Sequence, residues 1–232
     1  LEERIAAMLW QEENIYKCTH YLLPDDDLNI LWRERVCEWS YKVVDHFAID
    51  REIVAVSLSY LDRFMSLHHT NKKIFQLAAV TSLFLAIKLY KNKFISMSVF
   101  AGICGDLKVD HIRVMEVTIL RSLSWHLHPP TTMTLIRHIM QLLPNECDHL
   151  LKEEIMERAR FYSEISVSSI CFVAYKPSSI AIASLMNVTN EIIELSTKHR
   201  NEFIKNISTT AQLDCGSDEV LECRIRFKSI LL

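Results

Sequence analysis

Histidine and cysteine are the residues of this 232-residue chain best suited to metal binding or nucleophilic catalysis, so we examine their spacing first. His126 and His128 are two positions apart, so on a helix they would point to different sides and could not share a metal ion. Cys18 and His20 have no partners at the spacing of a zinc site. The sequence also has no Gly-rich phosphate loop, no GxSxG and no HExxH. We therefore expect no catalytic residue, no metal site and no cofactor, and we predict that the chain is not an enzyme.

The composition is that of a globular protein without a nucleic-acid or membrane partner. The chain is 50% hydrophobic, and its net charge of −3 with a pI near 6.4 argues against a nucleic-acid-binding domain, which usually has a pI above about 9. No run of 18 apolar residues occurs, so no transmembrane helix is expected. The seven cysteines are an odd number and form no CxxC pair, and no signal peptide is apparent, which predicts reduced intracellular thiols.

The elements that position these residues are predicted to be helices. Three glycines, where average usage of roughly 7% would give about sixteen, leave few residues for the tight turns of a sheet. Apolar residues recur at helical spacing along most of the chain. PDDD at 24–27 breaks the first pattern, Asp50 is a candidate N-cap, and Pro177 lies at a first helical position. The predicted helices cover 2–17, 32–47, 51–67, 74–91, 96–104, 110–127, 133–143, 148–166, 178–189, 195–211 and 217–231.

A weak internal repeat suggests two similar all-helical domains. Residues 60–83 align without a gap over 162–185, a shift of 102 positions (162 minus 60), and LAAVTSL falls over SIAIASL. HPP at 128–130 provides the clearest boundary, because the residue before a proline is pushed out of the helical region. We therefore divide the chain into an N-terminal helix and connector at 1–30, a first domain at 31–128 and a second at 129–232.

A lysine interrupts the most apolar helix, in the segment LFLAIKLYKNK at 83–93. Lys88 follows Phe84 and Leu85 at i+4 and i+3, so it lies on their face. Two interpretations stay open at this point. The lysine stem can lie on apolar surface with its ammonium in water, or a partner protein can cover this surface and supply hydrogen-bond groups. Glu116 is likewise a charged residue on the apolar face of its own helix, which it shares with Ile112, Ile119 and Leu120.

Four segments, in order and at matching intervals, resemble a cyclin box. They are WRERVCEW (32–39), YLDRF (60–64), LFLAIKLY (83–90) and MEVTILRSLSWHL (115–127). The segment AYKPSSIAIASL (174–185) is similar to the companion C-terminal cyclin fold, and RIAAMLWQEENIY (4–16) to the helix that precedes the box. The resemblance implies an all-α protein with two tandem five-helix cyclin-fold domains preceded by an N-terminal helix.

The resemblance also implies a function, which is to bind and activate a cyclin-dependent kinase as a heterodimer. In that family, a Lys and a Glu at the positions of Lys88 and Glu116 hydrogen-bond to the kinase backbone, and apolar residues between them hold the kinase's regulatory helix. By position these are Leu85, Leu89, Leu120 and Leu127. Arg33 and Asp62 match a structural salt bridge between the first two helices of the box.

A second family surface docks basic-hydrophobic motifs of kinase substrates. The matching positions here are Trp32, Val36, Trp39, Phe75 and Gln76. Arg35 replaces an apolar residue within this cluster, so the chain departs from the family pattern there. Lys88 is followed by Leu-Tyr-Lys and not by the Phe and two acids of many mitotic cyclins, which favours a D-type or divergent G1 cyclin. We therefore expect a regulator of G1 or G1/S progression that is located in the nucleus and cytoplasm.

Other proteins of the same fold are alternatives. A general transcription initiation factor with two cyclin-like repeats binds DNA and should be basic, which a net charge of −3 does not favour. The retinoblastoma pocket is larger and lacks these motifs. The sequence distinguishes poorly between a cell-cycle cyclin and a transcription-associated cyclin, whose kinase acts on RNA polymerase. An all-helical enzyme would need a pocket with convergent polar groups.

Overall fold

The computed structural model describes residues 1–18, 27–68, 71–90, 95–104 and 107–231, and of residues 27–29 it describes the backbone only. Within these ranges the secondary structure is helical, which confirms the predicted all-α class. The described residues do not include His20, PDDD except for Asp27, or the last three residues of LFLAIKLYKNK. The helices are α1 (Glu2–Asn14), α2 (Asp27–His46), α3 (Glu52–Leu67), α4 (Lys72–Tyr90), α5 (Met97–Ile103), α6 (Val109–Ser122), α7 (Thr132–Ile139), α8 (His149–Ser168), α9 (Pro177–Glu191), α10 (Thr197–Thr210) and α11 (Asp218–Leu231).

The contacts divide the chain into two compact units. The first unit comprises residues 18–129 and contains α2–α6, and the second comprises 1–17 with 130–232 and contains α1 and α7–α11. The shift of 102 residues found in the sequence places α3 over α8 and α4 over α9. Among the described residues the first unit thus has five helices and the second has five besides α1, as two tandem cyclin-fold domains preceded by an N-terminal helix require.

Helix α4 is the centre of the first unit. Every residue from Ala78 to Ile87 is buried, and the helix packs against α2, α3 and α6. Among the described residues, α4 is also the one helix long and apolar enough to cross a bilayer, but 61% of that stretch is buried inside the structure, as in the core helix of a globular domain. Asp50 was predicted as the N-cap of α3, but Arg51 occupies that position, and Asp50 lies one residue earlier. Its side chain still accepts a hydrogen bond from the Glu52 N–H, the first of the helix, at 2.9 Å.

Helix α9 has the same role in the second unit. It begins at Pro177, its residues 178–185 are all buried, and it packs against α7, α8 and α11. The adjoining helices have side-chain N-caps, which satisfy N–H groups that have no partner within the helix. Thr131 accepts from the Thr134 N–H at 3.0 Å at the start of α7, and Ser196 accepts from the His199 N–H at 3.2 Å at the start of α10.

A carboxylate of α1 attaches that helix to the start of α9. Glu12, 5% exposed, accepts hydrogen bonds from the backbone N–H of Ser178 at 3.0 Å and from the Ser178 hydroxyl. The neighbouring Glu13 forms an ion pair with Lys176 at 2.6 Å. The first N–H groups of a helix carry partial positive charge, so carboxylates are favourable there. These contacts explain why α1 groups with residues 130–232.

Raising the pH is expected to destabilise the second unit through Glu12, and Glu12→Gln is expected to remove this effect. Burial raises the pKa of Glu12 above its ordinary value of 4.5, and the hydrogen bonds from Ser178 oppose the rise. The folded state therefore holds this proton more tightly than the unfolded state, and stability falls as the pH rises from the ordinary pKa through the raised one. Each unit of difference between the two pKa values is worth about 1.4 kcal/mol.

The measurement is the thermal unfolding midpoint of both proteins at a series of pH values from 4.5 upward. Gln keeps a neutral acceptor for the Ser178 N–H, so the variant is expected to fold. Its unfolding midpoint should increase relative to that of the wild type as the pH rises. A difference between the two midpoints that does not change with pH would contradict the assignment to Glu12.

Candidate functional site

Lys88 and Glu116 meet at the surface of the first unit, near the end of α4 and in the middle of α6. The Lys88 Nζ donates a hydrogen bond to Glu116 Oε1 at 2.8 Å. The lysine side chain is 52% exposed, whereas that of the glutamate is 11% exposed. The two residues lie 28 positions apart in sequence, and the packing of α4 against α6 brings them together.

The predicted apolar partners of this pair differ in depth. Leu85, Leu120 and Leu127 are buried, with exposures of 2%, 9% and 7%, whereas Leu89 is 40% exposed. The three buried leucines therefore belong to the core that supports the surface around Lys88. Of the four leucines, Leu89 is the one that offers substantial area to a partner.

The chain segment after α6, residues 123–128, is held by side chains of α3. The Tyr60 hydroxyl donates a hydrogen bond to the carbonyl oxygen of Leu127. Arg63 Nη1 donates to the carbonyl oxygen of His126 at 3.0 Å. Tyr60 and Arg63 are both buried, so these bonds form in a low-dielectric environment where breaking them is expensive. The segment is consequently fixed relative to the helices that carry Lys88 and Glu116.

Trp125 is presented to solvent by this segment and was not predicted as a site residue. Its side chain is 67% exposed, and it lies three residues after Ser122, where the helix that carries Glu116 ends. Trp125 and Ser124 both adopt positive φ, at 63° and 51°, a region that costs a non-glycine residue about 1–2 kcal/mol. An exposed tryptophan on a strained but fixed backbone is a candidate contact residue. Its only sequence signal was an aromatic residue directly after the amphipathic stripe of α6.

The pair and its surroundings can recognise polar backbone groups of another protein. An ammonium group has three donors, and the bond to Glu116 uses one of those of Lys88. A carboxylate has further acceptor capacity beyond a single bond. The ion pair can therefore remain intact while it donates and accepts hydrogen bonds across an interface.

Arg33 and Asp62 form a buried bidentate ion pair between α2 and α3. Arg33 Nε donates to Asp62 Oδ1 at 2.9 Å, and Arg33 Nη2 donates to Asp62 Oδ2 at 2.8 Å. Their side chains are 3% and 8% exposed. Both charges are removed from water, so this pair orients α2 against α3 and is not available to a partner.

The five residues predicted as a docking patch line one groove of the first unit. The groove has a volume of about 680 Å³ and lies between α2, α4 and the residues that end α5. Trp32 and Phe75 form its aromatic part, with ring centroids 5.9 Å apart. Val36, Trp39 and Gln76 also line it, together with Arg35 and Lys72. The structure thus places the patch on a different surface from the Lys88–Glu116 pair, because Gln76 and Lys88 lie at opposite ends of α4.

Metal-ligating side chains are dispersed among the described residues, and burial raises the pKa of several thiols. Within them, no group of three or more His, Cys, Asp or Glu side chains could hold a metal ion. Burial, with a further contribution from the Asp62 charge, raises the pKa of Cys18 to about 12. Burial likewise raises the pKa of Cys104 to about 11 and that of Cys223 to about 12. The thiolate is the nucleophilic form, so the raised pKa values disfavour it at these three cysteines near neutral pH.

Comparisons with known proteins match both units. The family model for the cyclin N-terminal domain matches residues 4–128, and that for the cyclin C-terminal domain matches residues 130–223. The G1/S-specific cyclin-D2 of Xenopus laevis is 25% identical over 243 residues, which cover 100% of this chain and 80% of that protein.

Two solved structures resemble the fold at lower identity. A viral cyclin from herpesvirus saimiri has a TM-score of 0.69 at 14% identity, over 98% of this chain and 93% of that chain. A chain of the CAK complex from Chaetomium thermophilum bound to ATP-gamma-S has a TM-score of 0.64 at 20% identity, over 98% of this chain and 70% of that chain. At these identities the resemblance concerns the fold alone.

Proposed function

The chain belongs to the cyclin family, and we propose that it is the regulatory subunit of a cyclin-dependent protein kinase. The observation that carries the proposal is the Lys88–Glu116 pair, which lies at a partly exposed edge beside Leu89. Because the Lys88 ammonium is half exposed, water screens the attraction between the two charges, and the pair gains less from it than a fully buried pair would. Its geometry is useful when a partner brings backbone donors and acceptors to it.

The proposed mechanism is a shift of the kinase between two conformations. In protein kinases, a Lys of strand β3 must pair with the Glu of helix αC before the ATP phosphates are positioned. A rigid surface that binds αC in its inward position favours the active conformation by its differential affinity. The described residues supply such a surface through α4, α6 and the fixed segment 123–128. The chain itself supplies no catalytic group in this mechanism.

We further propose that the kinase acts in G1 or at the G1/S transition, in the nucleus and cytoplasm. The support for the stage of the cell cycle is the match to the G1/S-specific cyclin-D2 over the whole of this chain. A transcription-associated cyclin is the alternative, and the identity of the kinase distinguishes the two. A partner that phosphorylates RNA polymerase would place this chain in the transcriptional class.

The test of the proposed function is capture of a kinase by the immobilised chain, followed by a kinase assay on the eluate. The wild type is compared with Lys88→Ala combined with Glu116→Ala, after circular dichroism has verified that both are folded. Arg158→Ala combined with Glu154→Ala is the control, because this pair on α8 is also at hydrogen-bond distance, 2.6 Å, and partly exposed. We expect the wild type and the control to retain an active kinase and the Lys88–Glu116 variant to lose it. Equal retention by all three proteins would place the interface elsewhere.

Trp125→Ala is expected to weaken binding of the captured kinase by about thirtyfold without a change in stability. Buried tryptophans at interfaces are frequent hot spots, and loss of one costs about 2 kcal/mol or more. The side chain is 67% exposed in the free chain, so its removal leaves no cavity in the fold. The measurement is the Kd for the purified kinase by calorimetry. Trp10→Ala, at a tryptophan of α1 that is 58% exposed, is the control and should leave the Kd unchanged. An unchanged Kd for the Trp125 variant would exclude this residue from the interface.

A further inference from the structure

The groove between α2 and α4 has an apolar base and a positively charged lining. Its apolar residues include Trp32, Val36, Trp39, Phe75, Ala79 and Ile103. The charged side chains that line it are Arg35 of α2 and Lys72 of α4. The Lys72 ammonium lies 5.7 Å from the centre of the Trp32 ring, where a cation–π attraction holds it at the groove.

The described residues place no carboxylate in the lining of this groove. Glu38 lies on α2 one residue before Trp39, but it is paired with Lys42 at 2.5 Å on the exposed side of the helix. Among the described residues, neither Arg35 nor Lys72 forms a salt bridge with a carboxylate. Arg35 does attract Glu38 through space, but the hydrogen bond of that carboxylate goes to Lys42. A ligand that carries negative charge next to apolar side chains would match both the positively charged lining and the apolar base of the groove.

We propose that this groove binds an acidic peptide segment of a partner protein, with apolar side chains on the Trp32–Phe75 base and Asp or Glu side chains at Arg35 and Lys72. The volume of about 680 Å³ is within the range of roughly 300–1,000 Å³ of small-ligand sites, which suits a few residues of extended chain. Arg35 can bind a carboxylate through two parallel hydrogen bonds, and Lys72 provides a second point charge. The ligand charge is thus the opposite of the basic motif that the family resemblance led us to expect.

The inference rests on the proposed function only for its biological meaning, because the acidic segment would belong to a substrate of the bound kinase. Binding itself can be measured on the full chain without any kinase. A failure to bind acidic peptides therefore leaves the kinase proposal standing, and a failure to bind a kinase leaves the groove proposal standing.

The experiment compares two fluorescent peptides of equal length that share two leucines at the same positions. One peptide has Asp and Glu at the flanking positions, and the other has Lys and Arg. We expect the full chain to bind the acidic peptide at least about tenfold more tightly, and its affinity to fall as salt is added, because exposed charges are screened. Arg35→Glu combined with Lys72→Glu should reverse the preference.

Two controls make the outcome decisive. Lys198→Glu combined with Lys205→Glu places the same charge change on exposed positions of α10 in the other unit, and the preference should survive it. Arg35→Gln combined with Lys72→Gln removes the charges without reversing them and should abolish the preference. This variant keeps the test valid even if the Glu variant does not fold. Failure of the wild type to bind either peptide, equal or tighter binding of the basic peptide, or an unchanged preference in the Gln variant would overturn the proposal.

Discussion

Asp62→Ala is expected to lower the free energy of unfolding by about 3–5 kcal/mol, the largest stability effect among the substitutions considered. Arg33 is 2% exposed, and its hydrogen bonds to the Asp62 carboxylate, at 2.8 and 2.9 Å, would be lost. The variant retains a buried guanidinium without its counter-ion. Removing one partner of a buried pair is costly because desolvation of the remaining charge is no longer compensated.

The measurement is urea denaturation of the full chain, with Arg33→Met combined with Asp62→Leu as the matched variant. Replacing both charges by apolar groups of similar volume avoids the uncompensated charge, so the double variant should lose far less stability than Asp62→Ala. Glu154→Ala, in an exposed pair on α8, should change stability by about 0–1 kcal/mol. If Asp62→Ala were no more destabilising than Glu154→Ala, the pair would have no role in orienting α2 against α3.

The fold was largely predictable because its helices have regular apolar stripes and several have clear ends, although α6 ends at Ser122 and not at the predicted Leu127. Pro177 begins α9 and Asp50 binds the start of α3, as their types and positions indicated. The most apolar of the predicted helices is α4, and the structure buries it from Ala78 to Ile87. Each of these features depends on neighbours within one or two turns, which a sequence pattern records directly.

Such local patterns could not predict the association of α1 with the second unit. It depends on Glu12 and Ser178, which lie 166 residues apart. Periodicity identifies the apolar face of a helix but not the element that covers it. A buried Glu among exposed charges of the same helix gives no local signal.

The position of the site was predictable from the sequence, but the burial of its individual residues was less so. The resemblance led to Lys88 and Glu116, which the structure joins at 2.8 Å. Helical spacing puts Leu85 and Leu120 on the same faces as these charges, yet it does not reveal that both are buried while Leu89 is exposed. Trp125 depends on two successive residues of positive φ, a backbone conformation that residue types alone did not suggest.

Loss of both Lys88 and Glu116 is expected to weaken kinase binding by at least about 3 kcal/mol, which is more than a hundredfold. A hydrogen bond to a charged group contributes about 1.5–3 kcal/mol, and each residue would make at least one across the interface. The double variant is preferable to either single change, because Lys88→Ala alone would leave Glu116, 11% exposed, without its ion-pair partner. The stability of the chain should change little, since an exposed lysine is one member of the pair.

The measurement that tests the central claim most directly is a titration of the purified kinase with this chain, with substrate phosphorylation as the readout. The account predicts saturable activation by the wild type and by the Arg158→Ala, Glu154→Ala control. For the Lys88→Ala, Glu116→Ala protein it predicts a half-maximal concentration more than a hundredfold higher. Superimposable titrations for the wild type and the Lys88–Glu116 variant, with both proteins folded, would contradict the claim that this pair is the contact through which the chain activates a kinase.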